Sequence, residues 1–256
     1  MFPNGDPAWV VPAWPTPSGV CAAVSTRQGP GVSVAPYDCF NLGARSGDEP
    51  SVVGANRAAL QAALGLPRAP QWLEQVHGTD VVVVQRAAAN EPRADAAVTR
   101  ERGQPLVILT ADCLPVLLCS DDGAVIGAAH AGWRGLAAGV IERTVAAMAT
   151  GAAQLQAWLG PCIGLASYEV GEEVRAAFVD GDAGAAACFV PTRPGHWRCD
   201  LVALARRRLA TLGVTRIGGG DFDTFTDPRF YSYRRDGARS GRFASVIWLG
   251  EAAASS

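Results

Sequence analysis

The chain has 256 residues, 49% hydrophobic and 18% charged, enough to bury a large core without help from disulfides or a metal. Its formal net charge of −2 lacks the basic excess expected of a nucleic-acid or membrane-surface partner. All 22 basic side chains are Arg, so the chain can form no Schiff base with pyridoxal phosphate and carries no Walker-type phosphate loop.

No G-x-G-x-x-G run follows a strand, which leaves a dinucleotide fold without support. The start Met1-Phe2-Pro3-Asn4-Gly5-Asp6-Pro7 has no basic-then-apolar pattern, and no apolar stretch approaches the roughly 18 residues of a membrane span. Seven Cys, an odd number without repeated spacing, fit reduced thiols and a cytoplasmic location.

In chain order, the first predicted element is a helix over 51–64, capped by Ser51, with Val52, Leu60 and Leu64 on its apolar side. The β-branched run 81–84 reads as a strand after the turn Gly78-Thr79-Asp80. The Ala-rich stretch 87–89 reads as a loop or helix end. Strands are predicted at 106–109 and 115–119, and Asp121-Asp122-Gly123 signals a hairpin whose return strand covers 124–129. Residues 136–149 have helical spacing, with Gly151 as the stop. The Ala-rich stretch 183–187 is again loop or helix end, and His196 reads as a loop residue. A second strong helix runs over 200–212 from Asp200 as N-cap to Gly213 behind it. The closing strand is 243–249, and Ala252 to Ser256 read as a frayed tail. With no repeat or low-complexity linker, residues 1–256 read as a single domain. The mixture of strands and helices predicts a mixed α/β (α+β) layered sandwich.

Two of the three His sit in unusual settings. His77 precedes a strand, in Leu73-Glu74-Gln75-Val76-His77-Gly78. His130 lies where a strand gives way to a helix, in His130-Ala131-Gly132-Trp133-Arg134-Gly135. Cys113 sits between two strands in Thr110-Ala111-Asp112-Cys113-Leu114-Pro115. A tight hairpin at 121–123 sets Cys113 opposite His130 or within about two residues of it, and directly opposed residues lie about 5 Å apart. A His and a Cys on an apolar strand pair are often plain core residues. Here Asp112 and Arg134 flank the pair, and charges are seldom buried without a partner or a task. The Gly-rich run into the following helix leaves backbone N–H groups for an anion near Gly135.

These motifs resemble the family variously called YfiH, peptidoglycan editing factor or laccase-domain purine nucleoside phosphorylase. The resemblance also takes in Ser25-Thr26-Arg27, Asn41-Leu42-Gly43, Trp158-Leu159-Gly160-Pro161, Tyr168-Glu169-Val170-Gly171 and Ser232-Tyr233-Arg234-Arg235-Asp236, in order along nearly the whole chain. One departure is a Pro30 inserted into the loop Arg27-Gln28-Gly29-Pro30-Gly31-Val32-Ser33. The resemblance implies an α-β-β-α sandwich with mixed sheets and a single zinc site, with copper as the alternative ion, held by His77, Cys113 and His130. It implies phosphorolysis of adenosine, inosine and methylthioadenosine, with some adenosine deamination. Three N/S ligands with a fourth position open is the pattern of a catalytic zinc site. Its implied partners are a purine nucleoside and phosphate, with no nucleic acid and no membrane.

In that picture Cys113, Asp112 and Arg134 are the candidate catalytic residues. Arg27, Asn41 and Gly135 are the candidates for substrate or phosphate binding, alongside Arg134. A second reading makes Cys113 a nucleophile with His130 as its base, in a hydrolase that edits peptidoglycan precursors. A copper-dependent polyphenol oxidase is the third. A multicopper centre needs more His than the three present, and the sole Met besides Met1 is Met148. The cytidine-deaminase signature, H-x-E with P-C-x-x-C, is absent. A non-catalytic binding module is the remaining class.

Overall fold

The computed structural model describes residues 6–250; the tail expected at Ala252 to Ser256 lies outside them. Strands β1 (Trp9–Val10) and β2 (Val20–Ser25) lead to helix α1 (Pro50–Ala63). Five strands follow: β3 (Val81–Val83), β4 (Ala96–Thr99), β5 (Leu106–Thr110), β6 (Leu114–Ser120) and β7 (Ile126–Ala131). Helices α2 (Trp133–Ala138) and α3 (Val140–Met148) precede β8 (Leu155–Leu159) and β9 (Glu169–Gly171). Then come α4 (Glu172–Val179), β10 (Phe189–Pro191), β11 (His196–Cys199), α5 (Leu201–Leu212) and β12 (Arg216–Gly219). Helix α6 (Tyr233–Asp236) and strand β13 (Phe243–Leu249) close the described chain.

Two sheets form the centre. One is antiparallel, in the order β1-β2-β13-β5. The other has the order β12-β8-β6-β7-β4-β3, antiparallel in the middle with a parallel pair at each edge. Strand alternation decides the layers. From β5, Leu106 and Ile108 face Leu117, Ile126 and Ala128 of the larger sheet, while Val107 points outward to Leu60, Phe40 and Leu42 beneath α1. The far face of the larger sheet carries Val116, Leu118 and Ala129, covered by Ile141 and Val145 of α3 and Leu204 and Leu209 of α5. The stack is α-β-β-α. Strand β6 is buried along its whole length, which is why its sequence is apolar without alternation from Leu114 to Cys119. Each large aliphatic side chain buried this completely contributes about 1.5–3 kcal/mol. A third, antiparallel sheet, β10-β11-β9, lies apart from these two.

Several boundaries differ from the sequence expectation, each for a local reason. Helix α1 begins at Pro50 with Glu49 as N-cap, so Ser51 caps nothing. A proline suits the first helical position because that N–H has no partner there anyway. Val53, not Val52, is buried beside Leu60, and Leu64 is the C-cap. The return strand of the hairpin starts at Ile126, because Ser120 Oγ takes the N–H groups of Ala124 and Val125 and lengthens the turn. The single helix expected over 136–149 is broken at Gly139, whose φ of 99° is left-handed and ends α2. Helix α3 stops at Ala149, ahead of Gly151. His196 opens β11 and pairs with Gly171, so it is a strand residue. The stretch near 183 is a 3-10 helix, Ala183–Cys188. Asp200 caps α5 as expected, its carboxylate accepting from Ala203 N, and Gly213 is the left-handed C-cap.

Candidate metal centre

The hairpin register sets the first pair. Pro115 pairs with His130 across β6 and β7, which leaves Cys113 two residues further along, in the turn between β5 and β6. His77 arrives from a loop ahead of β3. The ligand atoms of His77, Cys113 and His130 all lie within 4.8 Å of one another. Cys113 Sγ is 3.7 Å from His77 Nε2, and the two imidazole rings stand edge to face with centroids 4.8 Å apart. His130 is buried, Cys113 partly so and His77 exposed. Burial alone would push the Cys113 thiol up; the facing His130, with hydrogen bonds from both histidines, outweighs it and brings the thiol down to about 6. Burial disfavours the His130 cation, but Cys113 and Asp95 raise it to about 9. A thiolate and two imidazoles converging on one point fit zinc or copper far better than magnesium or calcium.

Asp95 organises this centre, and sequence reasoning missed it. The residue is fully buried at the head of β4. Its Oδ1 is 2.8 Å from His130 Nδ1 and accepts from His77 N at 2.9 Å. Its Oδ2 accepts from Val76 N at 3.1 Å and Gly78 N at 2.6 Å. Three consecutive backbone N–H groups can converge on one carboxylate because His77 has a φ of 60°, which curls the loop into a concave anion nest. Burial pushes the Asp95 carboxyl up, but the His130 bond and the N–H groups of Gly78 and Val76 outweigh it and hold it below its ordinary value. An ionised carboxylate only accepts, so His130 Nδ1 carries a proton towards Asp95 and the ring presents Nε2 to Cys113. Carboxylates behind metal-binding imidazoles act this way, fixing tautomer and ring orientation. The signal in the sequence was an Asp flanked by Ala94 and Ala96 at the start of a buried strand, where a charge requires a partner.

The glycines of the His130 motif have equally specific causes. A Cβ on Gly132 would lie 2.9 Å from both Cys113 Sγ and His77 Cδ2. A Cβ on Gly135 would lie 2.9 Å from Gly78 O, so α2 packs directly on the His77 loop. Gly132→Ala is therefore expected to force the thiol and the His77 ring apart. Metal affinity should fall about ten- to a hundredfold, the range seen when groups supporting metal ligands are disturbed. The melting temperature of the metal-free protein should stay within a few degrees of wild type. Metal titration and thermal melts of the same preparation check this; unchanged affinity would show that the ligands tolerate the displacement.

The cluster opens into a cavity of about 570 Å³. Its walls include Tyr168, Tyr233 and Trp133, together with five arginines: Arg45, Arg57, Arg134, Arg234 and Arg242. Arg45 and Arg57 both pair with Glu91, at 2.7 and 2.6 Å. The other three have no carboxylate partner among the described residues. Asp112 lies on the wall but uses both carboxylate oxygens: Oδ1 accepts from Thr224 Oγ1 at 2.7 Å and Oδ2 from Arg234 N at 2.6 Å. It ties the Cys113 turn to α6, so Tyr233 and Arg234 are aimed by it. Gln75, also missed by sequence reasoning, clamps both the N–H and the carbonyl of Leu109 at 2.8 Å and docks the His77 loop on β5.

Three residues expected to bind substrate or phosphate are not on the cavity wall. Arg27 bonds the carbonyl of Asp38 at 3.0 Å, pairs with its carboxylate at 3.3 Å and stacks on Tyr231, off the cavity wall. Asn41 is fully buried and bonded only within the protein. Gly135 is a buried packing position in a helix of six residues, too short to develop much of a terminal dipole. Arg134 does line the cavity, its guanidinium stacked on Trp133 at 4.4 Å.

Residues 21–250 match the family described as multi-copper polyphenol oxidoreductase laccase. The chain is 56% identical over 256 residues to a purine nucleoside phosphorylase of Xylella fastidiosa (strain Temecula1), covering 95% of this chain and 98% of that one. It is 51% identical over 241 residues to the purine nucleoside phosphorylase YfiH of Escherichia coli K12, covering 94% and 98%. The crystal structure of a Neisseria meningitidis protein is similar with a TM-score of 0.92 at 42% identity, over 95% of this chain and all (100%) of that one. That of Bacillus licheniformis YfiH gives 0.88 at 25% identity, over 97% and 98%. A match this long, with the His77, Cys113 and His130 motifs intact, places the chain: it belongs to the YfiH family, whose description is multi-copper polyphenol oxidoreductase laccase.

Proposed function

We propose that this chain is a zinc-dependent purine nucleoside phosphorylase that converts adenosine, inosine or methylthioadenosine and phosphate to the free base and a ribose 1-phosphate, with adenosine deamination as a second activity. One observation carries the reading: a His-Cys-His cluster opens into a nucleoside-sized cavity that also holds three arginines without carboxylate partners. A volume of about 570 Å³ falls within the range of small-molecule sites. The names of the Xylella and Escherichia relatives, purine nucleoside phosphorylase, support a purine nucleoside and phosphate as the substrate class.

His77, Cys113 and His130 would hold the zinc, which when bound supplies Lewis acidity and an activated water at neutral pH. Phosphorolysis breaks the bond between the base and ribose C1′ as a phosphate oxygen bonds to C1′. The protein's own contribution is placement and charge. The rings of Tyr168 and Tyr233 offer faces for a purine. Burial keeps the Tyr168 phenol protonated, and its hydroxyl has no protein partner among the described residues, so it can donate to the base. Arg134 and Arg234 supply positive charge beside the metal cluster. Asp112, with both oxygens engaged, positions these groups and moves no proton.

The test is product analysis on purified protein. Ribose 1-phosphate should form from inosine only when phosphate is present, and inosine should form from adenosine without it. Free ribose appearing at the same rate with or without phosphate would replace the phosphorylase with a hydrolase. The hydrolase reading draws on the Cys113 thiol at about 6 beside His130 at about 9, the arrangement of an activated nucleophile and its base, and its substrate would be a peptidoglycan precursor. The seven cysteines are all unpaired, which supports a reducing, cytoplasmic setting for either enzyme.

A further inference from the structure

In the motif Asn41-Leu42-Gly43, Gly43 reaches the cavity wall while Asn41 and Leu42 are buried behind it, and several of the motif's contacts hold one arginine of that wall. Asn41 Oδ1 accepts from Arg242 N at 2.9 Å and from Gly43 N at 3.0 Å. Leu42 N donates to Arg242 O at 3.0 Å. The absence of a side chain at Gly43 leaves room for the Arg242 stem, since a Cβ there would lie 2.7 Å from Arg242 Cγ. The motif is thus a clamp on the residue that opens β13. We infer that Arg242 is the phosphate-binding arginine of this cavity, and that Asn41 and Gly43 are its positioning residues.

The guanidinium lies over the Tyr233 ring at 5.8 Å and is hydrogen-bonded at one corner only. Nη1 donates to Ser240 O at 2.7 Å and Gly241 O at 2.9 Å, while Nε and Nη2 have no hydrogen-bond partner among the described residues. Two donors on one edge of a planar fork match two oxygens of a phosphate, which a lysine ammonium cannot do. The competing arginines fit less well. Arg45 and Arg57 are neutralised by Glu91. Arg134 is exposed and stacked on Trp133. Arg234 is also exposed and spends Nη1 on Glu169 O at 2.9 Å. Arg242 alone of the three unpaired arginines is half-buried rather than exposed, where a charge-assisted bond is less screened.

This assignment rests on the phosphorylase reading for its biological meaning, and its test is chosen to stand apart from it. Inorganic phosphate is titrated into zinc-loaded wild type, Arg242→Gln and Arg242→Lys by calorimetry, with zinc content measured on each sample. Phosphate affinity should fall about ten- to a hundredfold in Arg242→Gln, the cost of one charge-assisted contact. It should fall about tenfold in Arg242→Lys, which keeps the charge and loses the second donor. Zinc content should match wild type, and the KM for nucleoside should move much less than the KM for phosphate. Gly43→Ala, which pushes on the Arg242 stem, should weaken phosphate binding in the same direction. Phosphate affinity within twofold of wild type in both Arg242 variants would overturn the assignment, as would a wild type that binds no phosphate. Arg242-dependent binding without any ribose 1-phosphate would leave this anion site standing and remove the phosphorylase.

Discussion

Cys113→Ala is expected to abolish both metal retention and turnover. The thiolate is the one anionic donor in the cluster, and without it His77 and His130 remain as two imidazole donors around an open space. Disturbing groups behind a metal ligand costs about ten- to a hundredfold in affinity or activity, so removing the ligand itself should exceed roughly a hundredfold in each. The fold should survive. Cys113 is only partly buried, in a turn, while the core is built from three apolar clusters that do not include it. Metal analysis, nucleoside turnover and a thermal melt on one preparation separate these effects. A metal content near wild type would mean that the cluster is not the metal site.

Metal removal should be as severe and reversible. Dialysis against a chelator is expected to reduce turnover to background, and stoichiometric zinc to restore it. Because an ion bound only by the native state stabilises it, the metal-free protein should also melt lower. At free zinc a thousandfold above Kd that linkage amounts to about 4 kcal/mol. Full activity after demonstrated removal of the metal would instead establish Cys113 as a nucleophile paired with His130.

Local patterns carried much of this structure in the sequence. The hairpin signal at Asp121-Asp122-Gly123 predicted the Cys113–His130 approach, because antiparallel pairing converts a turn position into a register. Asp200 and Gly213 marked both ends of α5 through cap chemistry alone. Contacts distant along the chain were not legible in the same way. Asp95 looked like an ordinary residue until the fold set it 2.8 Å from His130. Arg242 depends on Asn41, on the other side of the protein sequence. Arg27 was misplaced for a comparable reason: Asp38, across its own loop, captures the guanidinium before the cavity can. Gly139 divides α2 from α3 although helical spacing runs through it, since apolar periodicity does not register a single left-handed residue.

The carboxylate of Asp95 has one more consequence. It fixes the His130 tautomer and the His77 backbone with hydrogen bonds that involve no ion, so the three donors are assembled as soon as the chain has folded. A receptor finished in advance does little to choose its guest. Intrinsic affinity of nitrogen and sulfur donors ranks copper(II) above zinc, and nothing in the cluster penalises either. Which element a given preparation contains is then a record of the growth medium and of the cell's trafficking of trace elements. Two laboratories expressing the same gene in different broths should recover differently loaded protein, whatever ion the family's description names.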